Sequence, residues 1–137
     1  MSRYGSIEYK IMARIARKKC AVFVREDFKD LSDYDQVGRA LRNIAKEGRL
    51  IRLGYGVYAK AKKSSINGKL VPVAPLPDLA KEALARLGIK TAPSRLEKDY
   101  NAGKTTQGPT GRLIAVRGRV NRKLGYGGAY VSYEPAP

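Results

Sequence analysis

The stretch Ser32–Tyr58, SDYDQVGRALRNIAKEGRLIRLGYGVY, constrains the chain most, because it specifies a helix, its stop and a hairpin in immediate succession. Ser32 is placed to accept a hydrogen bond from an early helical N–H, and Asp35 sets a carboxylate at the positive end of the helix dipole. Val37, Leu41, Ile44 and Ala45 recur at three- and four-residue steps, so one stripe of the helix needs a core to bury it. At about 100° per residue, Asp35, Arg39, Arg42 and Lys46 project from the opposite side, with Gln36 and Asn43 on its shoulder. Gly48 suits the left-handed residue that closes a helix. LIRL, then Gly54-Tyr55-Gly56, then VYAK read as a hairpin, with β-branched and aromatic residues on the arms and glycines supplying positive φ at the bend.

Arg49 and Arg52 precede that bend, Tyr55 sits on it, and Lys60, Lys62 and Lys63 follow. A helix with an Arg/Gln/Asn/Lys outer face and a basic hairpin behind it resembles the recognition helix and wing of a winged helix-turn-helix. The plain alternative is a solvated amphipathic helix before an ordinary hairpin.

Charge points the same way. Against 12 acidic side chains stand 28 basic ones, a net of +16, spread over both halves of the 137 residues. Such an excess repels itself in the folded state, and a polyanionic partner is its usual compensation. The length suits one domain with a small appendage, and 43% apolar residues suffice for a core. No apolar run approaches the roughly 20 residues that span a bilayer, and Met1–Lys10 lacks the apolar centre of a secretory signal. The expected location is cytoplasmic, at the nucleoid, with no membrane partner. Cys20 has no second cysteine to pair with and lies beside Ala21 and Val22, as a buried thiol would. Without histidine or a cysteine pair, a zinc finger and any Ser-His or Cys-His mechanism are excluded. The expectation is a protein that is no enzyme and carries no metal or cofactor.

Upstream, Ser6 caps an expected helix from Ile7 to about Lys18, with Ile7, Ile11 and Ile15 on one side and Arg14, Arg17, Lys18 and Lys19 towards its end. Those four cations suit a solvated last turn or a DNA backbone. Cys20–Val24 is an apolar run too short for a helix, so a strand is expected to pair with the hairpin. Glu26–Leu31 reads as a brief helix with Phe28 and Leu31 inward. Its neighbours Asp27, Asp30, Asp33 and Asp35 look like helix-start acids rather than a metal-dependent nuclease centre. The order helix, strand, helix, turn, helix, hairpin is that of a winged helix.

Residues 61–77, AKKSSINGKLVPVAPLP, read as a linker, or at most an extended strand around Lys69–Val73. A second region, 78–137, opens with a helix from Asp78 whose stripe is Leu79, Ala80, Ala83, Leu84 and Leu87 and whose stop is Gly88. Ser94 and Glu97 have capping-box spacing for a short helix to about Asn101. The loop 102–111 offers Lys104, Thr105, Thr106 and Gln107 as phosphate ligands. It fails the nucleotide-binding pattern, since Lys98 stands where the earlier glycine belongs. The final stretch reads as a meander of Leu113–Arg117, Val120–Leu124 and Ala129–Glu134. Arg117, Arg119, Arg122 and Lys123 cluster there, more cation than edge-strand protection needs.

Two stretches carry a family resemblance. Phe28 through Leu41, with Gly48, Leu50, Arg52, Gly56, Val57 and Tyr58, resembles the N-terminal winged helix of AbiEi-type antitoxins, the repressor half of type IV toxin-antitoxin systems; GRLIRLGYGVY is its most characteristic part. From Pro77-Asp78 through Tyr100-Asn101, Thr105-Thr106-Gln107-Gly108-Pro109 and Arg119–Lys123, the chain is similar to small plasmid and phage proteins sharing that domain. The resemblance implies DNA binding by a helix from Tyr34 to Glu47 and by the hairpin, with autoregulation of an operon as one role. It implies Arg39, Arg42 and Asn43 as groove contacts, and Arg52 and Tyr55 as wing contacts. Full-length antitoxins of that family have a larger C-terminal domain that counters the toxin, a point from which this chain departs.

The expectation is therefore an α+β protein: a winged helix-turn-helix over 1–60, a linker, and a small basic helix-plus-meander region. Its leading function is sequence-selective binding of double-stranded DNA as a transcriptional regulator. The expected contacts are Tyr34, Gln36, Arg39, Arg42, Asn43, Lys46, Arg49, Arg52, Tyr55 and Lys60, with Lys104–Gln107 and the Arg117–Lys123 cluster beyond. Other classes stay open: an RNA-binding or ribonucleoprotein component stacking bases on Tyr126, Tyr130 and Tyr133, a small RNA-cleaving toxin, and an antitoxin acting by contact with a cognate toxin. A homodimer reading a palindrome and a monomer fit equally well.

Overall fold

The strand Val57–Lys63 organises the first half of the protein. In this computed structural model, which describes residues 6–92, 103 and 113–136, the chain is α+β and divides into two compact units, Met1–Ala74 and Pro75–Pro137. The first contains α1 (Ile7–Arg17), β1 (Val22–Val24), a 3-10 turn (Arg25–Phe28), α2 (Tyr34–Lys46), β2 (Leu50–Gly54), β3 (Val57–Lys63) and β4 (Leu70–Pro72). β3 lies between β1 and β2, antiparallel to both, and its last residues pair with β4.

Both α-helices of this unit start where a side chain satisfies a free N–H. The Ser6 hydroxyl accepts from the Tyr9 N–H at 3.1 Å and opens α1, as its position implies. For α2 the cap is Asp33, not Ser32: its carboxylate accepts the Gln36 N–H at 2.8 Å. Aspartate is as good a cap as serine, and this start puts Tyr34 in the first turn. At the other end, Gly48 (φ +79°) lets the Arg49 N–H reach the Ile44 carbonyl at 3.1 Å and the Gly48 N–H reach Ala45 at 3.0 Å. These are the two bonds of a Schellman stop.

The core is the one that periodicity requires. Ile11 and Ile15 of α1, Val37, Ala40, Leu41 and Ile44 of α2, and Phe23, Phe28, Leu50 and Tyr58 form one buried cluster, with Ile7, Cys20, Leu31 and Ala45 packed against it. Val22, Val57 and Ala59, on the opposite face of the sheet, are also fully buried. The unbroken apolar run of β1 reflects burial on both faces.

The segment before α2 departs from expectation. Only one 3-10 turn lies where a second full helix would complete a helix-turn-helix. Aspartates tighten it: Asp27 accepts the Val24 N–H at 2.9 Å, and Asp30 receives both terminal nitrogens of Arg14, at 2.7 and 2.8 Å. Arg14 also donates to the Asp27 carbonyl at 2.8 Å, so this cation staples α1 to the turn and does not stand free for DNA. Residues 61–77 are not a plain linker either, since they complete β3 and supply β4; Lys62 lies opposite Val71.

The second unit is built from α3 (Leu76–Arg86), β5 (Thr91–Ala92), β6 (Leu113–Val116), β7 (Gly125–Tyr126), β8 (Ala129–Tyr130) and β9 (Ser132–Pro135). α3 begins two residues before Asp78, because Pro77 falls in a first turn where its missing N–H has no helical partner to lose. Leu79, Ala80, Ala83 and Leu84 are its buried stripe. The tail is no meander: β9 pairs parallel to β6, while β7 and β8 form a separate small hairpin. Val120–Leu124 is not a strand, for parallel neighbours need a long return connection and these residues provide part of it. The short helix expected at 94–101 and most of the loop 102–111 lie outside the described residues. No helix among the described residues is long and apolar enough to cross a membrane.

Ion pairing with Arg14 holds the Asp30 carboxyl at about 2, below its ordinary 3.8. A depressed folded value means the contribution is whole above about pH 4 and lost as the pH falls towards 2. Acid unfolding of wild type followed by circular dichroism should steepen across that window, and Asp30→Asn should flatten it while destabilising the protein at neutral pH.

Candidate nucleic-acid interface

With Val37, Leu41 and Ile44 turned into the core, geometry leaves the other side of α2 outward. Gln36, Arg39, Arg42, Asn43 and Lys46 are all exposed there. Arg39, Arg42, Asn43 and Lys46 stand at i, i+3, i+4 and i+7, a continuous stripe along the helix. Among the described residues none of these four has a hydrogen-bond or ion-pair partner.

The hairpin meets that stripe through its register. Arg52 lies directly opposite Tyr58, and Leu50 opposite Lys60, so these four share the sheet face that covers the helices. A shift at Leu53 breaks the pairing, after which Gly54 faces Val57 and the chain turns through Tyr55 and Gly56. Only Gly56 has positive φ, +69°, so one of the two glycines supplies the bend. Arg52 is exposed and its Nε donates weakly to the Gly54 carbonyl, at 3.4 Å.

Tyr58 registers the convergence of helix and hairpin. Burial pushes its phenol above the usual tyrosine value, while Arg52, Arg42 and Arg25 pull it back. One cation from β2, one from α2 and one from the 3-10 turn thus act on a single phenol, whose buried hydroxyl has no hydrogen-bond partner among the described residues.

Arg25 is the residue that sequence reasoning missed. Its guanidinium lies 4.3 Å from the Tyr34 ring centroid and 5.1 Å from that of Tyr55, so the helix start and the hairpin bend stack on one cation. Gly38 makes this possible: a Cβ there would fall 2.7 Å from Nη2 and 2.8 Å from Nε of Arg25. A glycine in mid-helix costs about 1 kcal/mol relative to alanine, and Gly38 inside an otherwise favourable helix was the available signal. Tyr34 and Tyr55 keep 57% and 64% of their surface exposed, so both still face outward.

Other expected contacts separate. Lys60 donates from its ammonium to the Lys18 carbonyl at 3.0 Å, serving the C-terminus of α1. Arg49, exposed, has a loose ion pair with Glu47 at 3.7 Å. In the second unit Arg117, Arg119, Arg122 and Lys123 are exposed, and the Lys123 ammonium sits 4.8 Å from the Tyr130 ring centroid. Of the three tyrosines suggested for stacking bases, Tyr130 is exposed and Tyr126 half-buried, while the Tyr133 hydroxyl is buried without a partner. Lys104, Thr105, Thr106 and Gln107 lie outside the described residues. Three of the clustered acids have structural partners, Asp27 on Val24, Asp30 on Arg14 and Asp33 on Gln36.

A family model described as a family of unknown function (DUF6088) matches residues 8–127. No curated protein and no solved structure matches the chain.

Because an unsatisfied buried hydroxyl costs about 1–3 kcal/mol, Tyr58→Phe should leave the fold intact and raise its stability by roughly 1 kcal/mol. Urea denaturation of the two proteins measures this, and a destabilised variant would mean that the hydroxyl has a partner.

Proposed function

The chain belongs to the DUF6088 family, and we propose that it is a sequence-selective, double-stranded DNA-binding regulator of transcription built on a winged helix-turn-helix. The observation that carries this is the unpartnered stripe of Arg39, Arg42, Asn43 and Lys46 on α2, with Arg52 exposed on the adjoining hairpin opposite Tyr58. Supporting it is the element order α1, β1, 3-10 turn, α2, β2, β3, in which the turn stands for a shortened second helix. In this reading α2 enters the major groove. Arg39 or Arg42 meets guanine O6 and N7, and Gln36 or Asn43 meets adenine N6 and N7. The hairpin, with Arg52 and Tyr55, lies along the backbone as the wing. Arg117, Arg119, Arg122 and Lys123 supply phosphate contacts that are indifferent to sequence.

The regulated DNA is proposed to flank the protein's own gene, in the manner of an AbiEi-type autorepressor. A cognate toxin and a second copy of the chain are the partners that such a role adds.

Footprinting on the flanking DNA tests binding and autoregulation together. Arg39→Ala should cost about 1–3 kcal/mol on the operator and much less on bulk duplex, whereas Arg119→Ala should weaken both alike. Equal losses for Arg39→Ala would remove it from base recognition. If about six phosphates are neutralised, the logarithm of the binding constant should fall with that of salt concentration at a slope near −5; a slope near zero would sink the reading.

A further inference from the structure

Arg25 carries a charge for which the described residues provide no counter-ion. Its side chain is 7% exposed, its Nε is sealed from solvent without a hydrogen-bond acceptor, and neither ion pair among the described residues includes it. The rings of Tyr34 and Tyr55 offset part of the lost hydration, yet an aromatic quadrupole replaces neither a counter-charge nor a hydrogen-bond acceptor for Nε. A nearly buried cation in that condition costs stability unless an anion joins it. Its surroundings are at the surface, since both flanking tyrosines are more than half exposed. The site lies where the first turn of α2, with its partial positive charge, meets the hairpin bend.

We infer that the Tyr34–Arg25–Tyr55 stack is a seat for one phosphate group, a backbone phosphodiester of the bound nucleic acid, which deepens and rests on the duplex reading above. A phosphodiester has two free oxygens at the spacing of the guanidinium fork. Asp33, whose carboxylate caps α2, makes no ion pair with Arg25 among the described residues. Gly38 leaves the room that the arginine head occupies, since a Cβ there would fall 2.7 Å from Nη2. The seat contributes affinity and register and leaves base selection to the outer stripe of α2.

The test compares wild type with Arg25→Met, which keeps an unbranched stem and removes charge and donors. Duplex binding is titrated across salt concentrations, and melting of the free proteins is followed with inorganic phosphate or chloride at equal ionic strength. The variant should lose about 0.9 from the magnitude of the log-log salt slope, the share of one phosphate, and bind about tenfold more weakly at moderate salt. Phosphate should raise the melting midpoint of wild type and not that of the variant. Should Arg25→Met fail to fold, Gly38→Ala displaces the guanidinium by its Cβ and should cause the same loss of slope. Duplex binding with an unchanged slope overturns the seat and leaves the regulator standing. A wild type that binds no duplex, yet gains stability from phosphate only when Arg25 is present, overturns the nucleic-acid source and keeps the anion site. Neither effect overturns both.

Discussion

Pairing on both edges of β3 is the constraint on which the first unit depends. That strand holds β1 on one side and β2 on the other, and in the same register it sets Tyr58 opposite Phe23 and Arg52. The packing of α1 and α2 then follows, because the face bearing Phe23, Leu50 and Tyr58 is the floor on which their isoleucines, leucines and valines rest. The bulge at Leu53 has a separate effect. It swings the bend of the hairpin, where Tyr55 stacks on the guanidinium that Tyr34 covers from the helix side.

Charge is allotted in two ways. Arg14 and Lys60 are spent within the fold, on a carboxylate and on a helix-end carbonyl, while Arg25 stacks on aromatic rings with its Nε unpartnered among the described residues. Arg39, Arg42, Asn43 and Lys46 are left outward and unpartnered among the described residues. Of the neighbouring acids, Asp27 and Asp33 accept backbone N–H groups, Asp30 pairs with Arg14 and Glu47 with Arg49, and none pairs with the outward stripe among the described residues. The outward set is therefore a property of the arrangement, beyond the overall positive count.

Much of this was legible before any coordinates. The stripe Val37, Leu41, Ile44, the stop at Gly48 and the hairpin of 50–60 are local patterns, fixed by a helical period and by glycine at positive φ, and such patterns are written contiguously. What sequence reasoning missed depends on contacts between distant residues. Lys60 meets Lys18 across 42 positions, Arg14 meets Asp30 across 16, and neither partner is marked by spacing. Likewise the parallel pairing of β6 with β9 leaves no local signature, since strands of either sense have the same alternation. Arg25 shows the intermediate case: an oddly placed Gly38 announces that something approaches, without saying what.

The parallel pairing of β6 with β9 also sets an order of assembly. Among the described residues every hydrogen-bonded strand partner of β3 lies at or before residue 73, so the first sheet can close while later residues are still being synthesised. The second sheet must wait: Leu113 has no strand beyond it until Ser132 has emerged and turned back, and Thr91 depends on Val116 in the same way. Long-range closure of that kind is slow. A ribosome making this chain thus releases the half bearing the cationic helix as a finished surface before the half that follows has acquired its own framework.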